Sequence, residues 1–231
     1  MHELTTLLNT QRYAGRGIIM GVMPSGAYAF AYFIMGRSAS SRARRFSADG
    51  DNIVIKNIGG DPEHPELIIY SPVRRMGRRV IVTNGDQTDT VYEALHLGGS
   101  FESALQTRCF EPDPPHFTSR ISGIIDLDGG YELSILKAAD GTGTACKRQF
   151  FSYERMPGRG HYIHTYSGTE HRETGDVLMP FAGEPHEVAL PDNINTFAEV
   201  VWNGIDNDNK VALCVETFGK DGHDRVIINK Y

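Results

Sequence analysis

The sequence predicts an α+β fold of largely antiparallel sheets covered by segregated helices. Three observations predict it: apolar runs joined by short glycine-, proline- or asparagine-bearing turns, stretches of helical period gathered between groups of strands, and no regular β-α-β alternation of a doubly wound parallel sheet.

Element by element, residues 15–23 and 27–35 are apolar and aromatic with Pro24, Ser25 and Gly26 between them, which reads as a hairpin. Residues 52–58 and 66–70 read as short strands separated by the breaker-rich Gly59-Gly60-Asp61-Pro62-Glu63-His64-Pro65 stretch. Residues 78–83 form another strand that ends at Asn84-Gly85. The period then changes: a helix capped by Asp86 or Thr88 presents Val91, Ala94 and Leu95 on one face and stops at Gly98-Gly99. Ser100 caps a second helix, with Phe101, Ala104, Leu105 and Cys109 as its buried stripe. Residues 120–126 and 131–138 flank Leu127-Asp128-Gly129-Gly130 as a hairpin, and residues 146–153 and 161–166 continue the strands. A third helix over residues 195–204 carries Phe197, Val200 and Val201, and residues 210–218 and 224–229 close the chain as a hairpin.

The 231 residues are 40% apolar and 23% charged, the composition of an ordinary globular chain, and one domain is expected. No apolar run approaches the roughly 18 residues that span a bilayer. Residues 1–12 lack the basic flank and apolar run of a secretory leader, so the expectation is a cytoplasmic protein with no membrane partner. Cys109, Cys146 and Cys214 are widely spaced without a C-x-x-C, which predicts buried thiols. A net charge of −6 argues against general nucleic-acid binding.

Positive charge is nevertheless concentrated, at Arg37, Arg42, Arg44 and Arg45 and again at Arg74, Arg75, Arg78 and Arg79. Such clusters suit a small, multiply charged anion, because guanidinium matches phosphate oxygens bidentately; two solvated sheet edges are the alternative. Asn84 offers an amide that donates and accepts at a strand end, and Gly85 lets backbone approach a ligand, although a plain Asn-Gly turn explains the pair as well. His161 and His164 form an H-x-x-H on an expected strand, where the two rings point to opposite faces, so no metal is assigned.

Four segments are similar, in order and spacing, to the archaeal-type IMP cyclohydrolase family. They are Tyr13-Ala14-Gly15-Arg16, the 32–45 stretch with Gly36-Arg37-Ser38 and Ser41-Arg42, Val82-Thr83-Asn84-Gly85-Asp86-Gln87-Thr88-Asp89-Thr90, and Tyr162-Ile163-His164-Thr165-Tyr166 followed by Thr169-Glu170. The N-G-x-x-T-D-T string entering a helix behind arginine-bearing strands is the most specific of them. The resemblance spans residues 13–170 and implies a four-layer α-β-β-α sandwich like that of the N-terminal-nucleophile hydrolases, with residues 13–231 as a single domain and residues 1–12 as an N-terminal extension. Met1-His2 supplies no Cys, Ser or Thr at the N-terminus, so that superfamily's nucleophile chemistry is not expected. The chain departs from the pattern in residues 1–12 and in the proline-rich Glu111-Pro112-Asp113-Pro114-Pro115.

The activity implied is closure of a formylated imidazole carboxamide ribotide to IMP with loss of water, a step of purine biosynthesis that takes a purine ribonucleotide and needs no metal or other cofactor. A nucleotide-binding or sensing protein that kept the pocket and lost turnover is the alternative. The resemblance places Arg37 and Arg42 on the 5′-phosphate, Tyr70 as donor to the formyl oxygen, and Glu111 as the proton-transfer group with a pKa raised by burial. Asn84 would bind the carboxamide as a third catalytic candidate. Asp89 and Arg120 are candidate substrate-binding residues, with helix capping the other reading of Asp89 and Thr88 and pairing with Glu111 the other reading of Arg120. Arg44 and Arg45 read as ordinary surface charges, and a homo-oligomer is left open.

Overall fold

The computed structural model describes residues 1–60, 69–167, 178–220 and 222–231. Most of the strand expected over residues 66–70 lies outside these, as do Thr169, Glu170 and His171; Ile69 and Tyr70 are described and are not in a strand.

Strands β1 (Arg16–Val22) and β2 (Tyr28–Met35) form the expected hairpin. With β10 (Arg159–His164), β11 (His186–Ala189), β12 (Lys210–Gly219) and β13 (Gly222–Asn229) they build a six-stranded antiparallel sheet in the order β11-β10-β1-β2-β12-β13. The second sheet has seven strands in sequence order: β3 (Arg44–Asp49), β4 (Asn52–Asn57), β5 (Val73–Met76), β6 (Arg79–Thr83), β7 (Arg120–Asp126), β8 (Tyr131–Ala138) and β9 (Cys146–Tyr153). It too is antiparallel throughout.

Strand β2 is buried along its whole length, which explains why it reads as a continuous apolar run rather than an alternation. Its Phe30, Tyr32 and Ile34 share a core with Phe46, Val82, Ile121 and Leu133 of the second sheet. Ala29, Ala31, Phe33 and Met35 instead pack with α1 (Leu4–Asn9) and α5 (Ile194–Gly204) through Leu4, Leu8, Phe197 and Val201. A third cluster joins Ile81, Ile124 and Leu136 of the second sheet to Val91, Leu95, Phe101 and Leu105 of α3 (Gln87–His96) and α4 (Phe101–Gln106). The two sheets meet closely: a Cβ on Gly123 of β7 would fall 2.8 Å from Met20 Cε of β1.

Several local expectations change. Ser100 caps α4 as expected, in a reciprocal capping box with Ser103, but α4 ends at Gln106, so Cys109 leaves the stripe and is exposed. Cys146 is half-buried, and Cys214 alone meets the expectation of a buried thiol. Asp86 occupies the cap position of α3 in helical dihedrals (φ −63°, ψ −11°) and makes no capping bond, because its carboxylate is taken by Arg108 and Arg120. Thr88 lies inside the first turn, bonded to Thr83 Oγ1 at 2.6 Å and the Gly85 carbonyl at 2.9 Å. Residues 1–12 are part of the fold: Leu4 and Leu8 are buried against α5, and His2 bridges Val188 of β11. No helix among the described residues is long and apolar enough to cross a membrane.

Candidate active site

At one end of the two sheets β1 begins at Arg16, β3 begins at Arg44, β6 ends at Thr83 and β7 begins at Arg120. Arg16 is held there by local geometry. Gly15 has φ +77°, and a Cβ on it would lie 2.3 Å from Thr165 Oγ1, the atom that accepts the Arg16 backbone N–H at 3.2 Å. Arg44 follows α2 (Ala39–Arg42), whose Ser38 and Ser41 form a capping box, and Arg44 Nε donates back to the Ser41 carbonyl at 2.8 Å.

Glu111 enters the same region from the loop between α4 and β7, its backbone N–H bonded to the Thr118 carbonyl at 2.8 Å, and it is 4% exposed. Burial pushes its carboxyl up to about 7, against the pull of Arg16, Arg120 and Arg44 and with the help of Asp113. Burial disfavours the charge of Arg16 too, yet the Glu111 carboxylate, with Tyr70, Tyr13 and Tyr166, holds that guanidinium's pKa above its ordinary value. Arg44 is 1% exposed, and burial together with the like charge of Arg16 lowers its pKa. The Tyr32 and Tyr70 hydroxyls meet at 2.9 Å beside these charges, and burial raises the pKa of Tyr32. Tyr13 and Tyr166 stack with centroids 5.9 Å apart, and the exposed Arg37 lies 4.9 Å over the Tyr13 ring.

Among the described residues Arg16 Nε, Arg44 Nη1, Arg120 Nε and Ser119 Oγ are buried polar atoms with no hydrogen-bond partner. Unpaired donors on buried cations are costly, and oxygen acceptors on an anionic or carbonyl-bearing ligand would satisfy them. A separate cavity of about 720 Å³, lined by Arg79, Asp126, Tyr131 and Tyr153, lies by the opposite ends of β6 and β7 and contains none of the charged cluster.

The structure therefore brings Glu111 and Tyr70 into one cluster, with Arg120 at its side. Arg120 does not take Glu111 as its ion-pair partner: Nη1 reaches Asp86 Oδ1 at 2.7 Å and Gln87 Oε1 at 2.6 Å. Gly85 serves that approach, since a Cβ there would sit 2.4 Å from Arg120 Nη1. Asn84 is fully buried and largely committed to structure, its Oδ1 accepting from Ile121 N–H and Gln87 Nε2 while Nδ2 donates to the Ser119 carbonyl. Arg42 spends Nε on the Gly36 carbonyl at 2.9 Å, so it fixes the loop that carries Arg37. Asp89 is exposed and pairs with Arg74 at 2.7 Å. Arg45 is exposed as expected, whereas Arg44 is among the most buried side chains. The signal for Arg44 is its period-2 relation to buried Phe46 on the same face of β3. Arg16 and Tyr32 join the cluster as well, and their signal in the sequence is that both fall in the segments similar to the family.

The two imidazoles of the H-x-x-H lie on opposite faces as expected. His161 Nδ1 meets the Tyr131 hydroxyl at 2.7 Å, while His164 contacts Gln11 at 3.0 Å and the Tyr166 carbonyl.

The chain is 25% identical over 213 residues to an IMP cyclohydrolase of Methanocaldococcus jannaschii, covering 91% of this chain and 96% of that protein. It is 26% identical over 193 residues to an IMP cyclohydrolase of Methanococcus maripaludis, covering 78% and 91%. A family model described as IMP cyclohydrolase-like protein matches residues 13–222, and the chain belongs to that family.

Proposed function

We propose that this protein is an IMP cyclohydrolase that closes 5-formamidoimidazole-4-carboxamide ribotide to IMP with loss of water. The observation that carries the reading is Glu111, a buried carboxyl pushed up to about 7 among Arg16, Arg120 and Arg44 and beside the Tyr32–Tyr70 hydroxyl pair. The carboxamide nitrogen must attack the formyl carbon, forming a C–N bond and a carbinolamine, which then loses its hydroxyl as water. Two protons pass from nitrogen to the former formyl oxygen, the carboxamide N–H as the carbinolamine forms and the formamide N–H as the ring C=N bond forms and water leaves; a group with a pKa near 7 suits both transfers, taking each proton as carboxylate and delivering it as acid. The unpaired donors of Arg16 and Arg44, with Tyr70, are suited to the developing oxyanion. Arg37, at the exposed rim over Tyr13, and the loop pinned by Arg42 are suited to the 5′-phosphate.

The three separate clusters, one shared by both sheets and one on the helices packed with each, support a four-layer α-β-β-α sandwich similar to that of the N-terminal-nucleophile hydrolases. They also support a single domain into which residues 1–12 are packed.

The test is purine formation by the purified protein from the formylated ribotide, followed by absorbance in excess chelator and without folate. Turnover well above the uncatalysed rate is expected. Tight IMP binding with no turnover would replace the enzyme by a nucleotide sensor.

A further inference from the structure

Resting on that reading, we propose that Asp113 is a positioning residue. Through Thr118 it turns the Tyr166 hydroxyl so that Tyr166 offers a lone pair, and not a proton, to the carboxamide N–H of the substrate.

The direction of the relay follows from counting protons. Asp113 lies two residues beyond Glu111 in a loop closed by Glu111 N–H on the Thr118 carbonyl and by His116 N–H on the Asp113 carbonyl at 3.0 Å. Its carboxylate takes the Thr118 backbone N–H at 2.7 Å on Oδ1 and the Thr118 hydroxyl on Oδ2. A carboxylate only accepts, so the single proton of that hydroxyl is committed to it. Thr118 Oγ1 also contacts Tyr166 Oη at 2.6 Å, and having no proton left to give it accepts from the phenol. The phenol's proton is then committed in turn, and its oxygen keeps a lone pair. Tyr166 is itself fixed, 5% exposed and stacked on Tyr13, with its electrostatics shaped by Arg16.

The orientation matters because the surrounding groups are mostly donors: the guanidiniums of Arg16, Arg44 and Arg120. A carboxamide NH₂ needs acceptors. Glu111 takes the proton that leaves, and a second acceptor on the other N–H would hold the nitrogen with its attacking face toward the formyl carbon. In Asp113→Asn the new amide donates, the Thr118 hydroxyl must reverse, and Tyr166 would point its proton at the substrate.

The test uses the full-length protein and compares Asp113→Asn, Thr118→Val, Thr118→Ser and Tyr166→Phe for kcat, KM, IMP affinity, Tm and the pH profile of turnover. Asp113→Asn, Thr118→Val and Tyr166→Phe are each expected to lower kcat by about 10–100-fold with Tm nearly unchanged, while IMP, which keeps the carboxamide's remaining N–H, weakens by less than kcat falls. The Asp113→Asn/Thr118→Val double variant should be no worse than the poorer single one, as for a relay acting as a unit. Thr118→Ser should restore most of the rate. The profile adds a second readout, because Glu111 feels burial, Arg16, Arg120, Asp113 and Arg44. Removing the Asp113 charge should move the Glu111 limb to lower pH, and Thr118→Val should leave it in place. Near-normal kcat in Asp113→Asn and Thr118→Val would overturn the proposal. So would kcat losses that track falling Tm with an unmoved profile, which would make Asp113 a loop scaffold only. Absence of turnover in the unaltered protein is a separate result: it removes the reaction, and the relay with it.

Discussion

Glu111 sits where ionisation is costly, and that cost ties chemistry to stability at a single residue. Its folded pKa of about 7 lies above the ordinary 4.5, so the native state holds a proton that the unfolded chain releases. The stability contributed by the neutral form is therefore complete below about pH 4.5 and lost as pH rises through 7, on the order of 3 kcal/mol. Glu111→Gln keeps the shape without the titration. It should lower turnover by about 10²–10⁴-fold, leave IMP affinity little changed, and raise Tm above pH 7 relative to the unaltered protein. Steady-state rates and a pH series of thermal melts check both, and a melt series parallel to that of the unaltered protein would remove the strained carboxyl from the account. Among the arginines, Arg37→Ala should weaken IMP by about 1.5–3 kcal/mol and inosine hardly at all if it meets the phosphate. Titration calorimetry with both ligands reads the difference; equal losses would assign Arg37 to the Tyr13 ring alone.

At the scale of elements, the small helix α1 is hard to read in the sequence and is anchored in the structure by two buried leucines. Its six residues are too few to show a period, and its worth comes from Leu4 and Leu8 meeting α5. The approach is close: a Cβ on Gly204 would sit 3.0 Å from Leu8 Cβ, so α5 carries glycine where α1 crosses it. Leu8→Ala should cost about 2–5 kcal/mol by denaturant unfolding. A loss below about 1 kcal/mol would mean that α1 is only draped on the surface. Strands β3 and β5 are hard to read in the sequence for a related reason. They are four to six residues long and rich in arginine, Arg44-Arg45 and Arg74-Arg75, so their charge hides the alternation that places Phe46 and Val73 in the core.

For the whole molecule, histidines and Glu111 pull the pH dependence of stability in opposite directions. Burial lowers His164 to about 3 and His161 to about 4, well under the ordinary 6.5. The unfolded chain thus binds these protons before the native one does. The stability they contribute is present above pH 6.5 and falls as pH drops toward 4. For His164 the tautomer follows from its partners: the ring donates from Nδ1 to the Tyr166 carbonyl and accepts at Nε2 from Gln11, whose Oε1 holds the Tyr162 hydroxyl at 2.8 Å. Melts between pH 7 and 4 should show Tm falling, with a shallower fall in His164→Gln. An identical slope in that variant would mean that His164 protonates as readily in the native state as in the unfolded one.

What the sequence by itself determined is the antiparallel α+β pattern, most element positions and the family. Those follow from period, turn residues and local motifs, which act over a few neighbours. Tertiary structure alone decided which arginines face inward. Arg44 and Arg45 are adjacent and chemically identical, yet the pleat of β3 buries the first and exposes the second. Only the joining of the two sheets decides that Arg16, Tyr32, Arg44, Tyr70 and Glu111 meet, because their positions span 96 residues, from 16 to 111, and no local rule carries a charge across that distance. Asn84 went the other way for the same reason: its amide is drawn into hydrogen bonds with β7 and Gln87 that form only once the second sheet is assembled.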